Sequence, residues 1–312
     1  MTGSLYDLMI IGTGPAGLSA ALYGARLGLR TVVFGDIPGG STQMIERIDN
    51  YPGFPEGISG PQFGVFAFEQ AQRQGALFTL TRLQNLVKVK GRFAVIAADA
   101  KQFEAPCLIV ATGRLPKRLA IPGAALPGIH FCSLCDGPLF RDKGATLAVV
   151  GDDNTAAQHT FTLARLADKV YLVSRGSQLR MDDASRKRLE QLPNVELLTE
   201  TEVLAYEGEG KVEGLRVRRA DRQEKSLSVQ GVFLVIGWRP NTKILAELPL
   251  EMTSAGYIKT DARLMSSCPG LFAAGDVRDT DMQQILTACA DGARAARYAA
   301  EYLENLKLAG DR

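Results

Sequence analysis

Tyr6-Asp7-Leu8-Met9-Ile10-Ile11-Gly12-Thr13-Gly14-Pro15-Ala16-Gly17 opens a run that ends at Phe34 and decides the fold. Residues 6–11 read as a buried parallel strand, because the run closes on four consecutive apolar residues. A helix of small and apolar residues follows over 18–27, and a second strand over 30–34. Strand, glycine turn, helix and strand in this order form a dinucleotide-binding unit. Gly12 permits the tight turn, Gly14 lets backbone approach a pyrophosphate, and Gly17 lets the helix sit close to the sheet. The helix N-terminus then faces the phosphates. A glycine turn with no ligand is the competing reading, and the placement between two strands argues against it. The acid that usually binds ribose at the end of the second strand is not clearly present: Gly35 stands near that place and Asp36 beside it.

The same pattern returns at Ala145, with a strand over Thr146–Val150 and the turn Gly151-Asp152-Asp153-Asn154-Thr155-Ala156. A helix to about Leu166 and a strand over Lys169–Val173 complete a second unit, so the dinucleotide fold is duplicated. Between the units lie the irregular stretches Pro38-Gly39-Gly40 and Asn50-Tyr51-Pro52-Gly53-Phe54, of a kind often packed against a ligand. Met44, Tyr51 and Phe54 could stack on a flavin, and serve equally well as core. A helix is expected over Pro61–Gln74. Short β segments are expected near Thr79–Val89, Phe93–Ala97 and Gln102–Glu104, then a buried strand Cys107–Val110 ending at Ala111-Thr112-Gly113. Arg114–Gly123 and Gly237–Asn241 read as crossings between domains. Residues 195–236 read as antiparallel hairpins closing the second domain, with an apolar strand over Val232–Ile236. Gly270–Asp276 is a strand ending in Gly-Asp, and a long helix over about Gln283–Leu306 finishes the chain. The expected fold class is α/β, with two Rossmann-like dinucleotide-binding domains of three-layer ββα type. The second, residues 118–241, is inserted in the first, residues 1–117 and 242–312.

Cys132-Ser133-Leu134-Cys135-Asp136-Gly137 is the stretch that carries chemistry. Two thiols three residues apart close a small disulfide ring, and an adjacent acid can trade protons with a released thiolate. Pro138 follows, so the second thiol is expected near a helix start, where the dipole favours thiolate. The competing reading is half of a zinc site, which needs two more ligands at similar spacing. Cys107, Cys268 and Cys289 are isolated and the only histidines are His130 and His159, so no metal is expected. Cys107 reads as core.

The 312 residues are 46% hydrophobic, enough for about two domains with real cores. Thirty-six basic and 34 acidic residues give a formal charge of +2, which points to neither nucleic acid nor an anionic membrane. No apolar run is long enough to span a bilayer. The chain enters a strand pattern almost at once, with no basic region or cleavage site before it. A cytoplasmic location is expected, where disulfides are usually catalytic.

Taken together, these motifs resemble the low-molecular-weight thioredoxin reductase family of flavoprotein disulfide oxidoreductases. The resemblance spans almost the whole chain and rests on an ordered set of motifs. These are Gly12-x-Gly14-x-x-Gly17, Ala111-Thr112-Gly113, Cys132-x-x-Cys135-Asp136-Gly137, Gly237-x-x-Pro240-Asn241 and Phe272-Ala273-Ala274-Gly275-Asp276. It implies FAD in the domain of the first and last thirds, a redox disulfide in the inserted NADPH-domain-like part, a thioredoxin-like dithiol partner and a homodimer. Gly12, Gly14 and Gly17 would hold the FAD pyrophosphate, with Pro15 and Ala16 in the same turn. Gly39, Gly40, Ala111, Thr112, Gly113 and Gly275 would border the cofactor. Asn50 would lie close to the flavin, Asp276 would bond the ribityl or phosphate region, and Gln284 and Ile285 would put backbone N–H groups at the pyrimidine edge. Cys135 would be the flavin-side sulfur, Cys132 the attacker of the partner's disulfide, and Asp136 the acid–base group.

The chain departs from the family in its NADPH motifs. The family's GxGxxA turn carries Asp153 at its second glycine, beside Asp152. Its His-Arg-Arg-x-x-x-Arg phosphate clamp is Ser174-Arg175-Gly176-Ser177-Gln178-Leu179-Arg180 here, and the Gln that follows Gly-Gly in the flavin loop is Ser41. NADPH use is therefore doubtful. Ferredoxin, a second FAD or another carrier are the expected alternatives, with Gly151, Asn154, Thr155, Arg175 and Arg180 as the residues left for a second nucleotide or flavin. An ordinary NADPH-dependent thioredoxin reductase is the runner-up, and a flavin-binding sensor without turnover is third.

Overall fold

The computed structural model describes residues 4–45, 47–81 and 83–310. The chain divides into two compact units, one of residues 1–115 with 239–312, the other of 116–238.

In the first unit a five-stranded parallel sheet has the order Leu271–Ala273, Cys107–Val110, Leu8–Ile11, Thr31–Phe34, Leu77–Thr79. Its three central strands are buried along their whole length, as a sheet covered on both faces requires. On one face Leu8, Ile10, Val33 and Ile109 pack against the alanine-rich sides of helices Pro15–Arg26 and Ile285–Gly310. The two helices touch closely at Gly292, where a Cβ would fall 2.0 Å from Ala16 O. On the other face Met9, Ile11, Val32 and Phe34 meet Leu86, Phe93, Val95 and Phe103 of an antiparallel layer. That layer is Leu83–Val89, Arg92–Ala97 and Gln102–Ala105, with Ser4–Leu5 added along Gln102–Ala105.

The second unit repeats this plan. Its parallel sheet runs Ile129–His130, Gly231–Leu234, Thr146–Val150, Lys169–Val173, Val195–Leu198. Helices Asn154–Ala164 and Asp183–Glu190 cover one face. An antiparallel sheet of Thr201–Glu207, Gly214–Arg219 and Glu224–Ser228 covers the other. Both units are thus helix, parallel sheet and antiparallel sheet in three layers. Among the described residues no helix is long and apolar enough to cross a membrane.

Several elements differ from the sequence reading. Val195–Leu198 is no hairpin strand. It extends the parallel sheet, with Val170 opposite Val195. Leu77–Thr79 likewise belongs to the first parallel sheet, opposite Val32–Phe34, rather than to the β segment that begins at Leu83. Cys135 does lie near a helix start, but the helix is the one-turn Ser133–Asp136, whose cap is Cys132, and not one opened by Pro138, which belongs to the following 3-10 turn Gly137–Phe140. The last helix begins at Ile285, two residues later than expected, and reaches Gly310.

Candidate functional site

The first unit builds a bare backbone cradle at its glycine turn. Gly12 has φ +119°, and a Cβ there would lie 2.1 Å from Ala111 O. A Cβ on Gly17 would lie 1.9 Å from Gly12 O. No larger residue fits either position without moving main chain. Gly39 and Gly40, both at positive φ, close over this turn. Gly39 N–H donates to Thr13 O at 2.7 Å, and a Cβ on Gly40 would touch Gly14 Cα at 3.0 Å. Gly275 joins from the far end of the sheet, where its Cβ would meet Ala16 Cβ at 2.9 Å. The turn therefore presents peptide groups and the start of helix Pro15–Arg26, with Pro15 at its first position. This donor set fits the pyrophosphate of a dinucleotide such as FAD.

Polar side chains border the cradle. Asp276 forms an ion pair with Arg114 at 3.1 Å, the two side chains being 27% and 19% exposed. Burial pushes the Asp276 carboxyl above its ordinary value, and the Arg114 charge pulls back against this. A half-buried carboxylate of this kind suits the hydroxyls of a ribityl chain. Thr112 Oγ1 donates to Asn241 O at 2.7 Å, and Asn241 N–H donates to Gly113 O at 2.9 Å, which fixes the Ala111–Gly113 strand end. Asn50 Nδ2 donates to Gln284 Oε1 at 3.1 Å and so ties the flavin-loop candidate to the last helix. Gln284 N–H donates to Thr287 Oγ1 at 3.1 Å, so this backbone donor is already engaged, while Ile285 opens the helix. Gly35 answers the question of the ribose acid at its position: a Cβ would lie 2.4 Å from Thr13 Oγ1, so no acid fits there. Tyr51, Phe54 and Phe63 form one aromatic cluster, with Tyr51 and Phe63 edge-on at 5.0 Å, and Met44 is exposed.

The sequence reading missed Asp291 and Arg278. Asp291 accepts from Gly275 N–H at 3.2 Å and from Arg278 Nε at 2.7 Å, and so anchors the Gly275–Asp276 turn from the last helix. Its signal is a carboxylate on the alanine-lined, buried side of that helix.

In the second unit Cys132 and Cys135 form a disulfide with Cα atoms 5.3 Å apart. Cys135 N–H donates to Cys132 Sγ at 3.2 Å, so the first sulfur caps its own helix turn. A thiolate at that sulfur would gain from the same N–H. Asp136 ends the turn and pairs with His130 at 3.0 Å. The other cysteines are apart from this chemistry. Cys107 is fully buried and its thiol is pushed up to about 12. That of Cys289 is pushed up to about 11. Burial is the main cause in both.

The second dinucleotide turn is built differently from the first. Asp153 caps helix Asn154–Ala164, its Oδ1 accepting from Ala156 N–H at 2.9 Å. Its carboxylate thus occupies the helix N-terminus, where a pyrophosphate would bind. Asp152 is held by Arg180 in a two-pronged pair, at 2.9 and 2.8 Å. Asn154 Oδ1 accepts from Asp182 N–H at 2.9 Å, and Thr155 is exposed in the first helical turn. Gly151 is required by packing, since a Cβ would lie 2.4 Å from Val235 O. Arg175 and Arg180 separate. Arg180 is tied to Asp152, while Arg175 lines a cavity of about 310 Å³ with Ser177, Glu200, Glu202, Arg218 and Arg219.

Comparison with known proteins agrees with this construction. Residues 6–292 match the family model "Pyridine nucleotide-disulphide oxidoreductase". The thioredoxin reductase of Bacillus subtilis is 35% identical over 309 residues, covering 97% of this chain and 96% of its own. The solved thioredoxin reductase of Streptococcus pyogenes superposes with a TM-score of 0.87 at 34% identity, over 97% of this chain and all (100%) of its own. The atypical thioredoxin reductase TRi of Desulfovibrio vulgaris Hildenborough matches with a TM-score of 0.53 at 30% identity, over 96% and 98% of the two chains. The chain belongs to the pyridine nucleotide-disulphide oxidoreductase family. Within it, the chain is a flavoprotein disulfide oxidoreductase of thioredoxin-reductase type.

Proposed function

We propose that this protein moves electrons between a bound FAD and the Cys132–Cys135 disulfide, and on to or from a thioredoxin-like dithiol protein, without ordinary use of NADPH. The observation that carries the second part is the Asp153 carboxylate on the N-terminus of helix Asn154–Ala164. Capping satisfies the amide that a pyrophosphate would otherwise use, and it puts negative charge where two more would have to sit. Arg180, a remaining member of the phosphate clamp, is engaged with Asp152. The donor is then ferredoxin, a second FAD or another carrier, and flow in the reverse direction from dithiols fits the same residues.

FAD, when bound, would supply two-electron chemistry to the disulfide. Gly12, Gly14, Pro15, Ala16 and Gly17 would hold its pyrophosphate, with Gly39, Gly40, Ala111, Thr112, Gly113, Gly275 and Asp276 around it and Asn50, Gln284 and Ile285 toward the ring. In the reduced protein the Cys132 thiolate attacks a partner disulfide, and Asp136 protonates the sulfur that leaves. Cys135 then attacks Cys132, restoring the intramolecular disulfide and freeing the partner dithiol. We place this activity in the cytoplasm, in a homodimer. An ordinary NADPH-dependent thioredoxin reductase is the second reading, and the likeness to the NADPH-dependent thioredoxin reductase 3 of Arabidopsis thaliana favours it.

The disulfide role is tested with Cys135→Ser in the flavin-loaded protein. Reduction of a thioredoxin disulfide by chemically reduced protein should fall to background, because the mixed disulfide cannot resolve. Full turnover by that variant would remove the disulfide from the reaction.

A further inference from the structure

The chain has two histidines, and both reach the Cys132–Cys135 turn. His159 Nδ1 accepts from the Ser133 N–H at 3.3 Å, the first amide of the one-turn helix. Accepting there places a neutral ring's proton on Nε2. His130 Nδ1 lies 3.0 Å from Asp136 Oδ2, with the two side chains 17% and 13% exposed. The His130 ring stacks on Phe233 at 4.9 Å and meets the Phe140 edge at 5.5 Å. Its strand pairs with Gly231–Leu234, with His130 opposite Phe233. The ring is therefore held by one stacked and one edge-on phenyl ring, with one nitrogen aimed at the carboxylate.

From the elements packed on His130, Gly231–Leu234 and the turn Gly137–Phe140 contribute apolar residues and glycine, and the helix Ser133–Asp136 contributes Cys135 and Asp136 as its ionisable groups. An isolated carboxyl holds its proton only near pH 4, far below an ordinary thiol at about 8.5, whereas an imidazole titrates near 6.5. An imidazole hydrogen-bonded to the carboxylate gives Asp136 a neighbour with which it can exchange a proton.

We propose that His130 is the positioning residue and proton store for Asp136, so that the two act as one acid–base pair beside the disulfide. This rests on the reading of Asp136 as the acid–base group. The Cys132 thiolate attacks a partner disulfide, a new S–S bond forms, and the partner S–S bond breaks with its electron pair on the departing sulfur. That sulfur takes a proton from Asp136, which is refilled from protonated His130. Cys135 then gives its proton through Asp136 to the second partner sulfur as it closes the ring. Per turnover the protein dithiol is oxidised, the partner disulfide is reduced, and one net proton leaves His130.

The test uses flavin-loaded protein, pre-reduced with dithiothreitol and desalted, in single-turnover reactions with two disulfides. Bis(2-hydroxyethyl) disulfide releases an alkyl thiolate that needs a proton. 5,5′-Dithiobis(2-nitrobenzoate) releases an aryl thiolate that leaves unaided. His130→Asn keeps a donor toward Asp136 and cannot carry the proton. It should slow the alkyl reaction at pH 7 about tenfold or more and the aryl reaction less than about twofold, as general acid catalysis predicts. The alkyl-to-aryl rate ratio of the unaltered protein should fall as pH rises, as general acid catalysis requires, a readout that needs no variant. It should be flat in His130→Asn. Equal slowing of both disulfides, or a flat ratio in the unaltered protein, would overturn the proposal. Asp136→Asn separates the two layers. If it loses alkyl selectivity and His130→Asn does not, the store is elsewhere; if Asp136→Asn keeps it, the reading of Asp136 itself fails.

Discussion

On the proposed reading, replacing Asp153 with Gly should give the second unit tighter nicotinamide-dinucleotide binding. The carboxylate accepts from Ala156 N–H at 2.9 Å, on the helix N-terminus that faces the turn. A phosphate oxygen brought to the same amide would stand about 4 Å from it. At an effective dielectric near 20 that contact costs about 4 kcal/mol, or about a thousandfold in affinity. Asp152 adds little to this sum, because Arg180 offsets its charge. Loss of an Asp cap to Gly costs only a few tenths of a kcal/mol, so the fold should survive. Isothermal titration of flavin-loaded protein should therefore find weak or absent NADPH binding in the unaltered chain and affinity up to about a thousandfold tighter in Asp153→Gly. Asp153→Asn separates charge from shape: it keeps a cap oxygen without the charge and should gain most of the same affinity. Tight binding by the unaltered chain, or no gain in either variant, would refute the reasoning.

Two further outcomes follow from the geometry. Gly17→Ala would place a methyl 1.9 Å from Gly12 O, so the first unit should lose at least about 3 kcal/mol, with a clear drop in melting temperature and FAD content; an unchanged melt would contradict the close packing. After reduction, iodoacetamide at neutral pH should label Cys132 and Cys135 far faster than Cys107 and Cys289, whose thiols are pushed up to about 12 and 11. Peptide mass mapping reads this directly, and fast labelling of Cys107 would contradict its burial.

The two dinucleotide turns were legible because steric demand and element order speak together at Gly12–Gly17 and at Gly151. Elements whose residues are only half-buried were not. Val195–Leu198 is of intermediate burial throughout, and its sequence lacks the apolar run that marked Leu8–Ile11. Leu77–Thr79 hides for the same reason at the sheet edge. Asp153 was visible as a charge in the second turn, yet its role as a helix cap depends on where the helix begins. The Asp152–Arg180 pair joins positions 28 residues apart and could not be read from local pattern. His130 and Asp136 lie on a strand and a helix turn, and only the path of the chain between them turns imidazole toward carboxylate.

The most direct measurement is an anaerobic titration of the flavin-loaded protein with NADPH, following the flavin absorbance, beside parallel titrations with a dithiol and with reduced ferredoxin. NADPH should cause little or no bleaching, and at least one of the other two should bleach the flavin. Rapid, stoichiometric bleaching by NADPH would contradict this and make the protein an NADPH-dependent reductase despite Asp153.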